Sequence, residues 1–247
     1  MRDISELTKN YLGRIRLIVF DVDGVLVPRG TVIKQTGNRF YMDLKTIGKE
    51  EIKLMCSLST KYRLAINSGR SLFVLLEMFR EITSSVSFIY ENGSATWNGG
   101  KVTQLVNPYI DMMRIRSQLT KIKDKKIKGW EPKEFLITIH CNDRVDAIEE
   151  VMKNHSRYYC LWNGEAYDIG NIEYQNKGIG MVRYRMRHKY YRDEVLGIGD
   201  NVNDTEFLDA CAISVTADKI RVKGNFYIDE SDKLPANILM RRILEAR

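Results

Sequence analysis

The sequence has few of the residues that build thiolate metal sites, disulfide frameworks or histidine-rich centres. Among 247 residues there are four cysteines and three histidines. The cysteines, Cys56, Cys141, Cys160 and Cys211, lie far apart, and neither a Cys-x-x-Cys pair nor a paired histidine spacing occurs. Isolated thiols of this kind are typical of reduced cysteines in a cytosolic protein, and they give no support to a zinc site. We therefore expect a cytoplasmic protein without disulfides.

Long apolar runs, internal repeats and low-complexity tracts are also missing. No run approaches the roughly 18 apolar residues that a membrane-spanning helix needs, so no membrane partner is expected. The first ten residues are polar and of mixed charge, which predicts no secretory signal. Basic residues exceed acidic ones by 39 to 32, giving a formal net charge of +7. This charge favours anionic partners, which include both nucleic acid and phosphorylated metabolites.

Short apolar runs alternate with stretches of helical periodicity in the first part of the chain. Strands are predicted over 15–21, 63–67 and 87–90, and helices over 48–61 and 71–82. This alternation predicts a parallel sheet with right-handed crossover connections. A segment rich in Thr, Val and Ile between 27 and 43 interrupts it and predicts a β-hairpin, or flap.

The pattern changes after residue 90. Turn signals occur at 91–93 and 97–100. After them we predict a strand at 101–106, a helix at 108–122, a lysine-rich loop at 121–128, a strand at 134–140, a helix at 143–153 and a hairpin at 157–169. Asn142 is the predicted N-cap of the second of these helices. The β/α alternation then resumes. We therefore predict a first core segment over 1–90, an inserted α+β domain over 91–172 and a second core segment over 173–247.

Two aspartates directly follow the first predicted strand. The continuous apolar run from Leu17 to Phe20 is typical of a strand buried on both faces, and Asp21 and Asp23 come next. Open α/β sheets bind ligands at the carboxyl ends of their strands. Because two neighbouring carboxylates repel each other, the pair needs a cation or a shared proton, and its oxygens suit Mg²⁺. Taken alone, Asp-x-Asp-Gly is equally typical of an acidic turn.

Three further segments place polar residues at predicted element ends. The sequence Asn67-Ser68-Gly69-Arg70 follows the second strand, and its hydroxyl and amides suit a phosphate. Lys177 opens a helix after an Asn-rich loop. The sequence Gly199-Asp-Asn-Val-Asn-Asp204 follows a later strand, with Asp200 placed as Asp21 is; an Asx-rich helix cap would explain it equally well.

Together and in this order, the four segments resemble the motifs of the haloacid dehalogenase superfamily of phosphohydrolases. The inserted domain resembles the type IIB cap of the branch that includes sugar phosphatases and phosphomannomutases. The resemblance implies a Rossmann-like parallel-sheet core with an α+β cap. Val25 stands where the family often has Thr, and the flap instead resembles that of the 3-deoxy-octulosonate 8-phosphate phosphatase branch. The substrate and the formation of a homo-oligomer are therefore left open.

The resemblance also implies a role for each motif residue. Asp21 would be the nucleophile and Asp23 the general acid and base, with Lys177 offsetting the charge of nucleophile and phosphate. The metal ligands would be Asp21, the Asp23 backbone carbonyl and Asp200, with Asp204 a further ligand or a support to one. Substrate contacts would come from Ser68, Gly69, Asn203 and Asn92, and Asn203 would hold either Lys177 or a phosphoryl oxygen.

The resemblance thus predicts a Mg²⁺-dependent phosphatase that hydrolyses a small phosphorylated metabolite, most plausibly a sugar phosphate, through an aspartyl phosphate. A phosphomutase using the same intermediate is one alternative, and it would need cap cations such as Arg114, Arg116, Lys121 and Lys123. A basic nucleic-acid-binding protein with a vestigial site is another, but the sequence has no recognised nucleic-acid motif. Nucleic acid is therefore not the expected partner.

Overall fold

The computed structural model describes residues 1–37 and 39–246, and the chain forms two compact units. The first unit comprises Met1–Arg29, Lys45–Leu105 and Asn176–Arg247. The second comprises Gly30–Leu44 and Val106–Gln175. The hairpin at 32–43 thus groups with the second unit, whereas residues 91–105, predicted as part of the inserted domain, group with the first.

Fifteen strands lie in the part of the chain that the structure describes. In chain order they are β1 (Arg2–Asp3), β2 (Leu17–Phe20), β3 (Val32–Thr36), β4 (Arg39–Asp43), β5 (Arg63–Asn67), β6 (Val86–Tyr90), β7 (Ala95–Asn98), β8 (Lys101–Gln104), β9 (Ile127–Glu131), β10 (Ile137–Cys141), β11 (Tyr158–Trp162), β12 (Ala166–Asn171), β13 (Val195–Gly199), β14 (Ile213–Thr216) and β15 (Phe226–Tyr227).

Helices alternate with these strands. They are α1 (Lys9–Leu12), α2 (Lys49–Ser59), α3 (Leu72–Met78), α4 (Tyr109–Leu119), α5 (Asp146–Lys153), α6 (Lys177–Arg187), α7 (Thr205–Asp209) and α8 (Pro235–Glu245). Among the residues that the structure describes, no helix is both long enough and apolar enough to cross a bilayer.

The first unit is built on a nine-stranded sheet in the order β1-β15-β14-β13-β2-β5-β6-β7-β8. The first seven strands of this order, which end with β6, pair in parallel. Strands β7 and β8 pair antiparallel and form one edge of the sheet. All four residues of β2 are fully buried, as its continuous apolar sequence predicts for a central strand. On one face Leu17 and Val19 pack with Met181 of α6 and Phe207 of α7.

The second unit has a four-stranded antiparallel sheet in the order β11-β12-β10-β9 and the separate β3-β4 hairpin. Along β10, Ile137, Ile139 and Cys141 alternate onto a core with α4 and α5, because successive strand residues point to opposite faces. The hairpin lies against β9, where Gln35 Oε1 accepts a hydrogen bond of 3.0 Å from the Trp130 amide. The predicted fold class, a parallel-sheet α/β core with a separate α+β unit, is confirmed.

Some local predictions were wrong. The turn signals at 97–100 match a turn at Gly99-Gly100, but β7, which ends at Asn98, was not predicted. The predicted loop at 121–128 overlaps the start of β9. Helix α5 begins at Asp146 after Val145, so Asn142 is not its N-cap. Strand β7 runs directly into a turn and β9 begins within a lysine-rich stretch, and pairing with β6 and β10 decides their structure.

Candidate active site

The parallel sheet brings three of the predicted motif residues to neighbouring strand ends. Strand β2 lies between β13 and β5, so Asp21 is flanked by the ends that carry Asp200 and Ser68. The Asp21 amide donates a hydrogen bond of 3.0 Å to Ile198 O of β13. All three side chains belong to buried residues, at the edge where open α/β sheets bind their ligands.

Lys177 reaches this edge from the first turn of α6. Its Nζ lies 2.6 Å from Asp21 Oδ1 and 2.6 Å from Asp204 Oδ1, and its side chain is only 4% exposed. Burial disfavours the charge on this lysine, but Asp204 and Asp21 outweigh burial and raise the pKa of Lys177. The ammonium therefore remains charged at neutral pH and joins two acids that are distant in sequence.

The start of α6 is fixed by hydrogen bonds on both sides of Lys177. The Asn176 side chain caps the helix by accepting a hydrogen bond of 2.7 Å from the Ile179 amide. Asn67, fully buried at the end of β5, donates its side-chain N–H to Lys177 O at 3.0 Å. The lysine backbone is thus tied to a strand that ends beside Asp21.

Close packing of glycines also holds α6 in place. A Cβ added to Gly180 would lie 2.3 Å from the Gly93 Cα, and Gly93 itself has a positive φ of 78°. Contacts under 3 Å with backbone atoms require movement of the chain. Gly93, in the turn after β6, and Gly180, in the first turn of α6, must therefore be glycine, because a side chain on either residue would keep the two backbones apart.

Substituting Gly180 with alanine is expected to lower the free energy of unfolding by about 1–3 kcal/mol, the usual cost of overpacking. Urea denaturation at neutral pH measures this loss. Gly13→Ala is the matched control, because a Cβ at Gly13 would meet only Asn10 O at an ordinary 3.7 Å. A Gly180→Ala protein with the stability of the wild type would show that the contact with Gly93 does not constrain α6.

Asp204 is occupied by contacts that order the loop after β13. Its Oδ2 accepts hydrogen bonds from the amides of Asp200 (3.0 Å) and Asn201 (3.1 Å), and its Oδ1 binds Lys177. Since both oxygens have partners, this carboxylate is better placed to orient Asp200 and Lys177 than to bind a metal directly.

The donor set around Asp21 fits a divalent cation. Carboxylate oxygens of Asp21, Asp200 and Asp204 lie within 4.8 Å of one another. Asp200 Oδ2 accepts a hydrogen bond of 2.5 Å from Arg29, whereas Asp200 Oδ1 is buried without a hydrogen-bond partner in the described part of the chain. Burial, with the charges of Asp204 and Asp200, raises the pKa of Asp21 well above its usual range despite Lys177. A hard cation would satisfy the free oxygen and offset this repulsion.

Asp23 is paired with an arginine from the loop after β5. Arg70 Nε donates to Asp23 Oδ2 at 2.9 Å, and Arg70 Nη2 donates to Oδ1 at 2.8 Å. The Arg70 amide also donates to Ser68 Oγ at 3.2 Å. The second aspartate of the first motif and the hydroxyl of the second motif are therefore held by one residue.

The remaining predicted contact residues lie at the rim of this cluster. The Asn92 amide donates to Ser68 O at 3.1 Å, and a Cβ on Gly69 would lie 3.1 Å from Asn92 Oδ1. Asn203 Oδ1 is buried and has no hydrogen-bond partner among residues 1–37 and 39–246, so the predicted bond to Lys177 is not formed. The structure thus brings Ser68, Gly69 and Asn92 together, with Asn203 on the turn that leads to Asp204.

Three residues of the cluster had no role in the sequence interpretation. These are Arg29, Asn67 and Arg70. Arg70 stood inside the Ser-Gly-Arg motif, and Asn67 was a polar residue at the end of an apolar strand, which is a signal in itself. For Arg29 the sequence offered no signal beyond its closeness to Asp21.

The second unit has a polar cluster of its own on the face of β10 opposite its helices. Thr138 Oγ1 donates to Asp168 Oδ1 at 2.5 Å and accepts from Lys133 Nζ at 2.6 Å. His140 Nε2 lies 3.0 Å from Glu131 Oε2. The Lys133 side chain is only 3% exposed, which is rare for a lysine and requires such partners.

The fold of this chain is similar to those of several solved structures. BT1666 from Bacteroides thetaiotaomicron, described among phosphatases of the haloalkanoate (HAD) superfamily, matches with a TM-score of 0.70 at 15% identity, covering 98% of each chain. The C-terminal domain of C. albicans trehalose-6-phosphate phosphatase matches with a TM-score of 0.68 at 17% identity, covering 96% of this chain and 94% of that one. Aspergillus fumigatus trehalose-6-phosphate phosphatase matches with a TM-score of 0.62 at 18% identity, covering 99% and 97%.

The comparison of sequences alone finds no relative: no protein-family model matches the chain, and no curated protein matches it. At 15–18% identity, the structural matches extend over nearly the whole of each chain. They agree with the parallel sheet and the separate antiparallel sheet described above. The chain therefore has the fold of the haloacid dehalogenase phosphatases.

Proposed function

We propose that this protein is a Mg²⁺-dependent phosphatase that hydrolyses a small phosphorylated metabolite through an aspartyl phosphate. One observation carries the proposal: Lys177 Nζ lies 2.6 Å from both Asp21 and Asp204, beside Asp200 with its free buried oxygen. A phosphate dianion approaches such a group of acids only if cations offset their charge. The cluster provides one fixed ammonium and a donor set for one metal ion.

In the proposed first half-reaction, a carboxylate oxygen of Asp21 attacks phosphorus and the bond from phosphorus to the leaving oxygen breaks. The electron pair goes to the leaving oxygen, which takes a proton from Asp23. In the second half-reaction, Asp23 accepts a proton from water, whose oxygen attacks phosphorus while the bond from phosphorus to the Asp21 oxygen breaks and its electron pair returns to Asp21. Inorganic phosphate is released and the Asp21 carboxylate is restored.

The other residues hold charge and position during both half-reactions. Asp21, Asp200 and the Asp23 backbone carbonyl would hold Mg²⁺, which when bound neutralises phosphoryl charge. Asp204 would support that set through the Asp200 amide and Lys177. Ser68, the Gly69 amide and Asn203 would bind phosphoryl oxygens, with Asn92 at the rim. Positioning and electrostatics of this kind provide most of the catalysis in phosphoryl transfer.

For the substrate we propose a sugar phosphate. Two of the similar structures are trehalose-6-phosphate phosphatases, which act on a phosphorylated sugar. In the second unit, Glu131, Lys133, Thr138 and Asp168 form a cluster of charged and hydroxyl groups, the types that bond sugar hydroxyls. The net charge of +7 agrees with an anionic substrate.

A hydrolysis screen tests the proposal. Phosphorylated sugars, nucleotides and phosphorylated acids are incubated with the purified chain in Mg²⁺ or in EDTA, and released phosphate is measured. We expect release from sugar phosphates in Mg²⁺ and a loss of at least about 100-fold in EDTA, since the carboxylates then lack their counter-charge. Phosphorus NMR of the same reactions separates phosphate release from isomer formation. Equal rates in EDTA and Mg²⁺ would contradict the metal requirement, and isomer formation without release would indicate a mutase.

A further inference from the structure

The pair formed by Asp23 and Arg70 is the one contact in the cluster in which a guanidinium binds both oxygens of a carboxylate. The two hydrogen bonds are 2.9 Å and 2.8 Å long. The Arg70 side chain is 13% exposed and that of Asp23 is 28% exposed. Two parallel hydrogen bonds fix the plane and the rotamer of a carboxylate, which one hydrogen bond does not do.

Arg70 is itself held rigidly enough to serve as an anchor. It lies in the turn between β5 and α3, where its amide donates to Ser68 Oγ at 3.2 Å and its carbonyl accepts from the Glu91 amide at 3.1 Å. The guanidinium therefore connects Asp23, on the loop after β2, to the turn after β5, and the Arg70 carbonyl connects that turn to the turn after β6. Other bonds of the loop after β2 include Gly24 N to Val27 O at 2.8 Å within the loop and Ala236 N, of α8, to Val25 O at 3.2 Å.

We propose that Arg70 is a positioning residue for Asp23, which it holds at the place where the leaving oxygen takes its proton. This inference rests on the proposed function, in which Asp23 is the general acid. Arg70 does not act on the reacting atoms in this account. Its effect passes through the Asp23 carboxyl, and it is largest when proton transfer to the leaving oxygen matters most.

The chemistry of the first half-reaction makes this effect measurable. When the bond from phosphorus to the leaving oxygen breaks, the electron pair stays on that oxygen. The p-nitrophenolate oxygen delocalises this charge and departs without a proton, whereas the phenolate oxygen is a much stronger base and gains more from an acid. The two aryl esters have nearly the same size. A displaced acid therefore slows phenyl phosphate more than p-nitrophenyl phosphate.

The experiment compares Arg70→Met and Arg70→Lys with the wild type on both esters in Mg²⁺. The value of kcat/KM covers only the steps up to departure of the leaving group, so hydrolysis of the intermediate does not enter it. We expect the ratio of kcat/KM for phenyl phosphate to that for p-nitrophenyl phosphate to fall at least about 10-fold in Arg70→Met. Arg70→Lys keeps the charge but loses the two parallel bonds, so its ratio should also fall.

Arg80→Met is the matched control, because Arg80 is 72% exposed and pairs only loosely with Glu77 at 3.6 Å. Its ratio should equal that of the wild type. A double mutant gives the decisive comparison: in the Asp23→Asn background, Arg70→Met should leave the ratio unchanged, since the group through which it acts is gone. If Arg70→Met does not fold, Arg70→Lys provides the same comparison with the charge retained.

Each outcome either supports or overturns the inference. An equal loss on both esters, or a rise in KM alone for both, would show that Arg70 binds phosphate or only stabilises the fold. An undiminished effect in the Asp23→Asn background would show that Arg70 does not act through Asp23. A wild-type protein that releases phosphate from neither ester and from no compound of the hydrolysis screen, or an Asp21→Asn protein that hydrolyses both esters normally, would instead contradict the proposed function, and the inference would fail with it.

Discussion

Replacing Asp21 with asparagine is expected to lower the rate of p-nitrophenyl phosphate hydrolysis at least about 10³-fold, as loss of a covalent nucleophile does in other enzymes. The amide keeps the shape of the side chain but is not a nucleophile towards phosphorus. It also removes one charge from a buried group in which Asp204 and Asp200 raise the pKa of Asp21. Lys177 keeps its 2.6 Å partner Asp204, so the fold should persist.

The measurement pairs initial rates in Mg²⁺ with urea denaturation of the same preparation. Asp193→Asn is the control, because Asp193 is a 43% exposed side chain whose ion pair with Arg14 lies at the surface. That variant should retain both activity and stability. Hydrolysis at the wild-type rate by a folded Asp21→Asn protein would show that Asp21 is not the nucleophile.

The sequence predicts the parallel core well because its strands are continuous apolar runs with polar residues at their ends. Such runs identify β2, β5 and β13 without knowledge of their neighbours, and the rule that ligands bind at strand ends then selects Asp21, Ser68 and Asp200. The order of the strands in the sheet comes only from the structure. It is this order that places Asp21 between the other two.

For Lys177, the sequence predicts the position at the start of a helix but not the contact with Asp21. Its place at the start of a helix was visible from the Asn-rich loop before it, but its contact with Asp21 spans 156 positions of sequence separation. The contact depends on Asn67 and on the approach of Gly180 to Gly93, which no local pattern announces. The roles assigned to these residues remain predictions that the experiments above test.

Elements whose structure depends on distant partners were the ones missed. Strand β9 begins within a lysine-rich stretch, and it is stabilised by pairing with β10 and by the β3-β4 hairpin that lies against it. The hairpin groups with the second unit although about 60 residues of sequence separate it from the rest of that unit. The sequence identifies Arg70 as part of the Ser-Gly-Arg motif, and only the structure shows that Arg70 binds Asp23.

Lys177→Met is expected to abolish most of the activity, by about 10²–10⁴-fold, because it removes a fixed positive charge from the position where phosphoryl charge develops. The change should also lower the free energy of unfolding by about 3–5 kcal/mol, the usual cost of leaving buried charges without their partner. The lysine touches both Asp21 and Asp204 in a site where its side chain is 4% exposed. Methionine fills nearly the same space, so the loss reports the charge rather than a cavity.

The pH dependence of this destabilisation separates an electrostatic role from a packing role. The pKa of Lys177 is raised in the folded protein, so the charged lysine stabilises the wild type throughout the neutral range. This stabilisation is lost only as the pH rises through the pKa of Lys177 in the folded protein. Burial and the neighbouring carboxylates already raise the pKa of Asp21 in the wild type, where Lys177 lowers it again in part. Without the lysine this pKa rises further, so the folded variant keeps a proton on Asp21 to a higher pH than the folded wild type does.

The variant should therefore lose stability relative to the wild type as pH rises through the interval in which Asp21 has ionised in the folded wild type but not in the folded variant, by up to about 1.4 kcal/mol per pH unit. Urea denaturation in EDTA at several pH values from about 4.5 to about 9 (about half a unit apart) measures the difference. Lys219→Met, which breaks an exposed ion pair with Asp229, should change the free energy of unfolding little and show no such slope. A constant loss across this range would mean that Lys177 acts by packing, since only an uncompensated buried acid makes the folded variant bind an extra proton.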